Sequence, residues 1–364
     1  MATVIRTEGS SYRKPGAWML VTRDGIRVGT ISGGCLEAEV ARRIWWLTEN
    51  GSCIRRYSTD SEDTKDGYGL GCGGAIHLLL ERHCELNVTW AVLKTILRER
   101  HPDCLVSITR STHPQISIGT QVLQKEDVAD SGRPPEFERG IRSALATAFF
   151  ANQSIYRTIR HELFEIDIFC HYITPPIRIV VFGSGDDVRP LTLIAHTLGW
   201  EVSVVAVQTP VRPKERFPSA DSIVALSSAV PVAEQIRFGP FDATVLMTHS
   251  YEVDCRFLRE LLPMKLPYLG VLGPRRRTLR ALADLGIEAT RADDLIPSSL
   301  RSPVGLSLGG DGPGAIALSI AAEIQTVFNR IHPVTPDQKR IGANDAVASL
   351  PIAGGSRSSP STGI

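Results

Sequence analysis

Arg178-Ile179-Val180-Val181-Phe182-Gly183-Ser184-Gly185-Asp186-Asp187-Val188 decides the fold: an apolar run, a turn with two glycines, and then Val188 to Leu198 with apolar residues at helical spacing. Apolar runs without alternation belong to strands covered on both faces, and such strands sit in parallel sheets. Downstream the pattern repeats. Glu201 to Val207, Ala243 to Thr248 and Tyr268 to Leu272 read as strands, while Asp254 to Leu262, Arg276 to Leu285 and Ala315 to Phe328 read as helices. Alternation of this kind predicts a doubly wound α/β half, residues 178–330.

A dinucleotide-binding turn reads GxGxxG, opens a helix and is followed by an acid about 20 positions on. Here Val188 stands where the third glycine would be, and the second strand ends in Val205-Ala206-Val207 with no acid for a ribose hydroxyl. Asp186 and Asp187 put negative charge at a helix start, which steadies the helix and repels an entering phosphate. Ordinary NAD binding is thus poorly supported. Gly183 and Gly185 are candidates for anion contacts, with a tight turn that seats the helix on the sheet as the other reading. Gly309, Gly310 and Gly312 precede the last helix and pose the same choice. His249 falls at a strand end, and Arg275, Arg276 and Arg277 after Gly273-Pro274 form a compact basic turn suited to phosphate or to plain solvation.

Upstream, Ala2 to Thr7, Ala17 to Thr22 and Arg27 to Ile31 read as three strands, with Gly9 to Gly16 supplying turn chemistry. From Leu36, apolar residues at Val40, Ile44 and Leu47 recur at helical spacing, with Glu37 and Glu39 between them. Trp45 and Trp46 read as helix packing. Ala75 to Leu80 reads as a strand, Leu86 to Arg100 as a helix, Leu105 to Thr109 and Gln121 to Leu123 as strands. Lys125 to Glu136 reads as an exposed loop, Phe137 to Phe149 as a helix, and Leu163 to Phe169 as a strand returning to the first sheet. Thr174-Pro175-Pro176 marks a hinge at 174–177 after a first domain of 1–173, because consecutive prolines exclude helix and interior strand. Residues 331–364 lose periodicity and read as a disordered tail.

Two cysteines stand in glycine-rich turns, in Gly33-Gly34-Cys35 and Gly71-Cys72-Gly73. Glycine neighbours open a thiol to ligands, and a helix start favours thiolate, so Cys35 and Cys72 are candidates for sulfur or soft-metal chemistry; each serves equally as a small buried residue. Ser10, Ser11, Arg13 and Lys14 form a cationic loop that lies near Cys35 if the first three strands pair as a meander. The seven cysteines are scattered, which suits reduced thiols, and no block has structural-zinc spacing. With 364 residues and 43% hydrophobic content the chain can build two cores. Forty basic against 39 acidic residues exclude a global field for nucleic acid or an anionic membrane. The absence of an apolar leader or of a membrane-length apolar run points to the cytoplasm.

Gly9 to Ala17, Ser32 to Glu37, Gly69 to Gly74, Tyr268 to Arg275 and Pro303 to Leu306 resemble, in order, the motifs of the XdhC/CoxI family. The resemblance covers roughly residues 1 to 330. It implies an N-terminal α+β XdhC/CoxI domain followed by a Rossmann-like domain. It also implies a non-catalytic accessory protein that binds the molybdenum cofactor, shelters it while a cysteine desulfurase supplies sulfur, and delivers it to a molybdenum hydroxylase such as xanthine dehydrogenase. A homodimer is implied too. By motif, Cys35, Cys72, Gly33, Gly34 and Arg13 are the cofactor candidates in the first domain, and Gly183, Gly185, Gly309, Gly310, Gly312 and Arg275 in the second. Members usually carry a short helix ahead of the first strand, where Met1 stands here, as expected of a truncated or misassigned start. They also usually carry Asp-Arg after the second Rossmann strand and Gly-Leu-Asp in the last motif, where this chain has Ala206-Val207-Gln208 and Gly305-Leu306-Ser307. A nicotinamide-dependent oxidoreductase and a scaffold bridging desulfurase and apo-enzyme are the other two readings.

Overall fold

The computed structural model describes residues 1–34, 36–58, 74–83, 87–123, 133–206, 212–287 and 298–331. Its first sheet is antiparallel. β1 (Ala2–Gly9), β2 (Trp18–Val21) and β3 (Arg27–Gly29) form the expected meander. On the other side of β1 come β4 (Cys53–Ser58) and β5 (Gly74–Leu80), giving the order β3-β2-β1-β5-β4. Helix α1 (Glu37–Leu47) covers one face, with Val40 and Ile44 packed among Val4, Met19, Ile76 and Leu78.

The strand near Leu163 to Phe169 does not return to this sheet. It forms part of β9 (Phe164–Ile173), which pairs with β6 (Asp103–Ser111) and β8 (Ile155–His161), while β7 (Gln121–Leu123) flanks β6. β9 instead lies inside a second sheet of order β7-β6-β9-β8, where its long pairing with β6 takes one ladder and β8 the other. Helix α3 (Pro135–Ala151) covers its outer face through Phe137, Ile141 and Ala144. The two sheets meet where Phe169 packs on Ile5 and Leu79, and where His171 lies edge-on to Trp18 with ring centroids 4.9 Å apart. Helix α2 (Val88–Glu99) adds Val92 and Ile96 beside Leu105 and Ile173.

The second half is the expected doubly wound sheet. Its strands are β10 (Arg178–Phe182), β11 (Glu201–Ala206), β12 (Ser222–Ala225), β13 (Asp242–Leu246), β14 (Tyr268–Val271) and β15 (Leu300–Arg301). All pair in parallel, in the order β12-β11-β10-β13-β14-β15. Counted from β10 this is 3-2-1-4-5-6, the Rossmann order, with its switch point between β10 and β13. The intervening helices are α4 (Val188–Thr197), the short α5 (Pro213–Arg216) and α6 (Val232–Gln235), then α7 (Tyr251–Leu261), α8 (Arg275–Asp284) and α9 (Pro313–Ile331). Leu191 of α4 and Ile320 and Ile324 of α9 bury on one face against Val181 and Val245. Phe257, Leu258 and Ala281 of α7 and α8 bury on the other against Val180 and Leu246. No helix among the described residues is long and apolar enough to cross a membrane.

Arg100 joins the halves. It follows α2 in the left-handed region, φ 58°, which turns its side chain away from the helix axis. Its guanidinium donates to Glu201 at 2.8 Å, to the Pro176 carbonyl at 2.8 Å and to Asp242 at 3.0 Å. Asp242, with no exposed surface, also accepts from Arg178 Nε at 3.1 Å and from the Gly239 N–H at 2.6 Å. Removing one partner of a buried ion pair strands the others. Asp242→Ala is therefore expected to lower unfolding stability by about 3–5 kcal/mol. Urea denaturation followed by circular dichroism checks this, and a loss under about 1 kcal/mol would show that the junction carries little.

Candidate functional site

Helix α1 enters its loop through a carboxylate. Glu37 Oε1 accepts from the N–H groups of Ser32, at 2.8 Å, and Ile31, at 3.1 Å, while Oε2 accepts from the Ser32 hydroxyl at 2.6 Å. Ser32 Oγ in turn accepts from the N–H groups of Leu36 at 3.2 Å and Gly34 at 3.3 Å. One acid and one hydroxyl thereby fix both flanks of the loop that carries Gly33, Gly34 and Cys35. Glu37 lies on the same stripe as Val40 and Ile44 and is buried, not set between the apolar positions as the sequence reading has it. Burial pushes its carboxyl up, but the Ser32 hydroxyl and the N–H groups of Ser32 and Ile31 outweigh it, and the net displacement is below the usual glutamate value.

The cationic loop connects β1 to β2 of the meander, and its expected nearness to Cys35 lies outside the described residues. Its start and finish are held by the Gly16 N–H on the Val4 carbonyl and the Ala17 N–H on that of Lys14. The Tyr12 ring covers Gly33, where a Cβ would sit 3.6 Å from it. Arg13 follows, its carbonyl taken by Ser11 Oγ and its Nε buried without a hydrogen-bond partner. A buried guanidinium donor left over suits an anionic group.

Cys35 and Cys72 lie outside the described residues, and so does most of the second glycine motif. Cys104 is pushed up by its contact with Cys170 and by burial, and Cys53 by burial, so these remain protonated and inert at neutral pH. Among the described residues no group of three His, Cys, Asp or Glu side chains converges as a metal site.

At the carboxyl ends of β10 and β13, Gly183 adopts φ +143°, and a Cβ there would come within 2.2 Å of the Met247 carbonyl oxygen. Only glycine fits that crossing. Gly185 sits over Asp187, whose carboxylate meets His249 Nε2 at 2.8 Å. His249 itself holds a left-handed φ of 59°. Asp186 is paired with Arg216 at 3.1 Å. The three arginines are not one compact turn but the opening of α8, so successive side chains point about 100° apart. Arg277 turns inward onto Asp254 at 2.7 Å, while Arg275 and Arg276 are exposed. Burial raises the Asp254 carboxyl despite Thr248, Arg277 and His249 nearby. Gly309, Gly310 and Gly312 all have left-handed φ in an exposed loop, where the Gly312 N–H is already taken by Asp311. Because α4 and α9 both run back against parallel strands, their N-termini lie at the same sheet edge.

The molecule is thus a two-part α/β protein: a paired-sheet half with a clamped glycine loop, joined to a Rossmann half with an acidic turn. Residues 1–58 match the XdhC and CoxI family, and residues 179–324 the XdhC Rossmann domain. A Bacillus subtilis (strain 168) protein described as a probable xanthine dehydrogenase subunit is 32% identical over 338 residues, 91% of this chain and 93% of that protein. The molybdenum cofactor insertion chaperone PaoD of Escherichia coli (strain K12) is 23% identical over 344 residues, 91% of this chain and 83% of PaoD. A crystal structure described as a xanthine dehydrogenase from Bacillus halodurans is 29% identical with a TM-score of 0.64, covering 92% of this chain and 93% of that one. The chain belongs to the XdhC and CoxI family.

A carboxyl held below its ordinary value stabilises the fold above that value, and the contribution fades as pH falls through the lowered one. Glu37→Gln is expected to cost about 2 kcal/mol at neutral pH. The gap from wild type should close below roughly pH 4. Melting curves from neutral to acid pH report both; a gap independent of pH would remove the ionic clamp.

Proposed function

We propose that this protein is a maturation factor that binds the molybdenum cofactor, holds it while a cysteine desulfurase adds sulfur, and hands it to the apo-form of a molybdenum hydroxylase of the xanthine dehydrogenase type. The observation that carries this reading is the pair of clamped flanks, Ile31–Ser32 and Leu36–Glu37, with the Tyr12 ring over Gly33 and the Nε of the next residue, Arg13, buried without a hydrogen-bond partner. Flanks fixed before a ligand arrives leave less to be ordered on binding, and a few amide, guanidinium and thiolate contacts allow release as well as capture. In this reading Cys35 and Cys72 meet the molybdenum-sulfur end, and Arg13, Gly33 and Gly34 meet its anionic surroundings. Likeness to PaoD over 91% of the chain supports the same role.

The Rossmann half would hold part of the cofactor without a dinucleotide's contacts. Asp187, engaged by His249, keeps a carboxylate where a nicotinamide dinucleotide needs its phosphates, which weighs against the oxidoreductase reading. The measurement is anaerobic incubation with molybdenum cofactor followed by gel filtration, with molybdenum and pterin assayed in the protein peak. Wild type should retain both; Cys35→Ala or Arg13→Ala should lose at least tenfold in retained molybdenum. A folded wild type that retains none, and whose melting temperature NADH raises, would overturn the proposal.

A further inference from the structure

The far end of α1 carries aromatic side chains that the core does not take. Trp46 is 67% exposed, so it is no part of the helix packing that its spacing suggests. Trp45, beside it, donates through Nε1 to the Thr22 carbonyl in the β2–β3 turn. Ile26 in that turn and Val28 on β3 are also exposed, at 57% and 62%. β3 ends the sheet, with β2 as its single neighbour, so one row of its backbone groups faces outward. These residues form one continuous surface: α1 touches the turn through Trp45, and the turn leads directly into β3.

The surface is basic. Arg82 lies over the Trp45 ring at 5.4 Å and Arg43 over the Trp46 ring at 6.0 Å. Arg23 and Arg27 flank Ile26 and are exposed. Of the nearby acids, Glu39 is held by Arg42 and Arg43 and Asp24 bonds Thr22, while Glu49 stands exposed past the end of α1. Tryptophan and arginine together are the residues that dominate binding energy at protein interfaces. A second copy of the same face would set arginines against arginines. The whole chain carries a net charge of only +1, which gives nucleic acid no broader field to follow.

We infer that the α1–β3 face docks a protein segment bearing carboxylates around an apolar residue, which adds along the free edge of β3 and closes over Trp46. The inference deepens the proposed function by identifying this face as the recipient enzyme's landing site, and it rests on that reading for the partner's identity alone. Trp46 lies nine positions after Glu37, roughly 14 Å along the helix. A partner seated on the tryptophans is therefore within one helix length of the cofactor loop.

The test uses the full chain and two synthetic peptides, one with glutamates around a central Leu-Phe pair and the other with every glutamate replaced by glutamine. Fluorescence titration should show the acidic peptide binding, with affinity at least tenfold weaker in Trp46→Ala and in Arg27→Glu, and falling with added salt. Both positions are exposed, so both variants should fold as wild type does. Equal affinity for the neutral peptide, unchanged binding in Trp46→Ala, tighter binding of a single-stranded RNA oligomer, or self-association abolished by Trp46→Ala would each overturn the inference. Cofactor retention by Trp46→Ala is measured in parallel and should match wild type. If the acidic peptide binds but no form of the protein retains cofactor, the docking face stands and the maturation reading falls.

Discussion

Asp242 is the constraint on which the arrangement of the two halves depends. Its carboxylate is shut away from water, and an ion in that position is tolerated only if every lone pair has a donor. Arg100 comes from the first half, Arg178 and the Gly239 N–H from the second. The attraction need not contribute net stability, because desolvation consumes much of it. What it supplies is uniqueness of position: a relative displacement of the halves by a few ångström would part the Arg100 guanidinium from its acceptors and take one donor from a buried carboxylate. The left-handed Arg100 makes the same point locally, since its strained backbone is worth holding only while its three acceptors are in place.

The first half solves a different problem. Its two sheets and three helices set a short glycine loop at the open end of α1, and flexible loops do not hold ligands well. Glu37 answers with a carboxylate that the helix buries and the loop saturates, so the order of the loop depends on the same packing that holds Val40 and Ile44. Tyr12 comes to this loop by way of the β1–β2 turn, which His171 supports from below: a Cβ on Gly16 would sit 3.0 Å from its Nε2. Burial lowers the His171 imidazole to about 4, so it stays neutral under the turn at physiological pH.

The Rossmann half was legible because its strands are buried on both faces. Arg178 to Phe182 has the same bounds in sequence and structure, since five residues without a wet side leave no ambiguity. β4 and β8 were not legible: Arg55 and Arg56 interrupt one, Tyr156, Arg157 and Arg160 the other, as befits strands with a solvated face. β12 and β15 are too short to show a period. Glu37 had a signal that was missed, an acid at the i−3 position of an apolar stripe. The Asp242 junction had none, because its partner lies 142 residues away and no local pattern encodes that distance. At the site, Gly33, Arg13 and the Gly183 turn could be placed from their motifs, whereas His249 on Asp187 and Arg277 on Asp254 required the fold to bring separate strand ends together.

Glu201, Arg178 and Asp242 stand at the first residues of β11, β10 and β13, whereas Gly183 and His249 follow the last residues of β10 and β13. The anchorage and the Gly183 turn thus occupy opposite rims of one sheet, a strand's length apart. Substitutions at the turn therefore touch none of the groups that hold Asp242, and a side chain changed at one rim leaves the junction at the other in register.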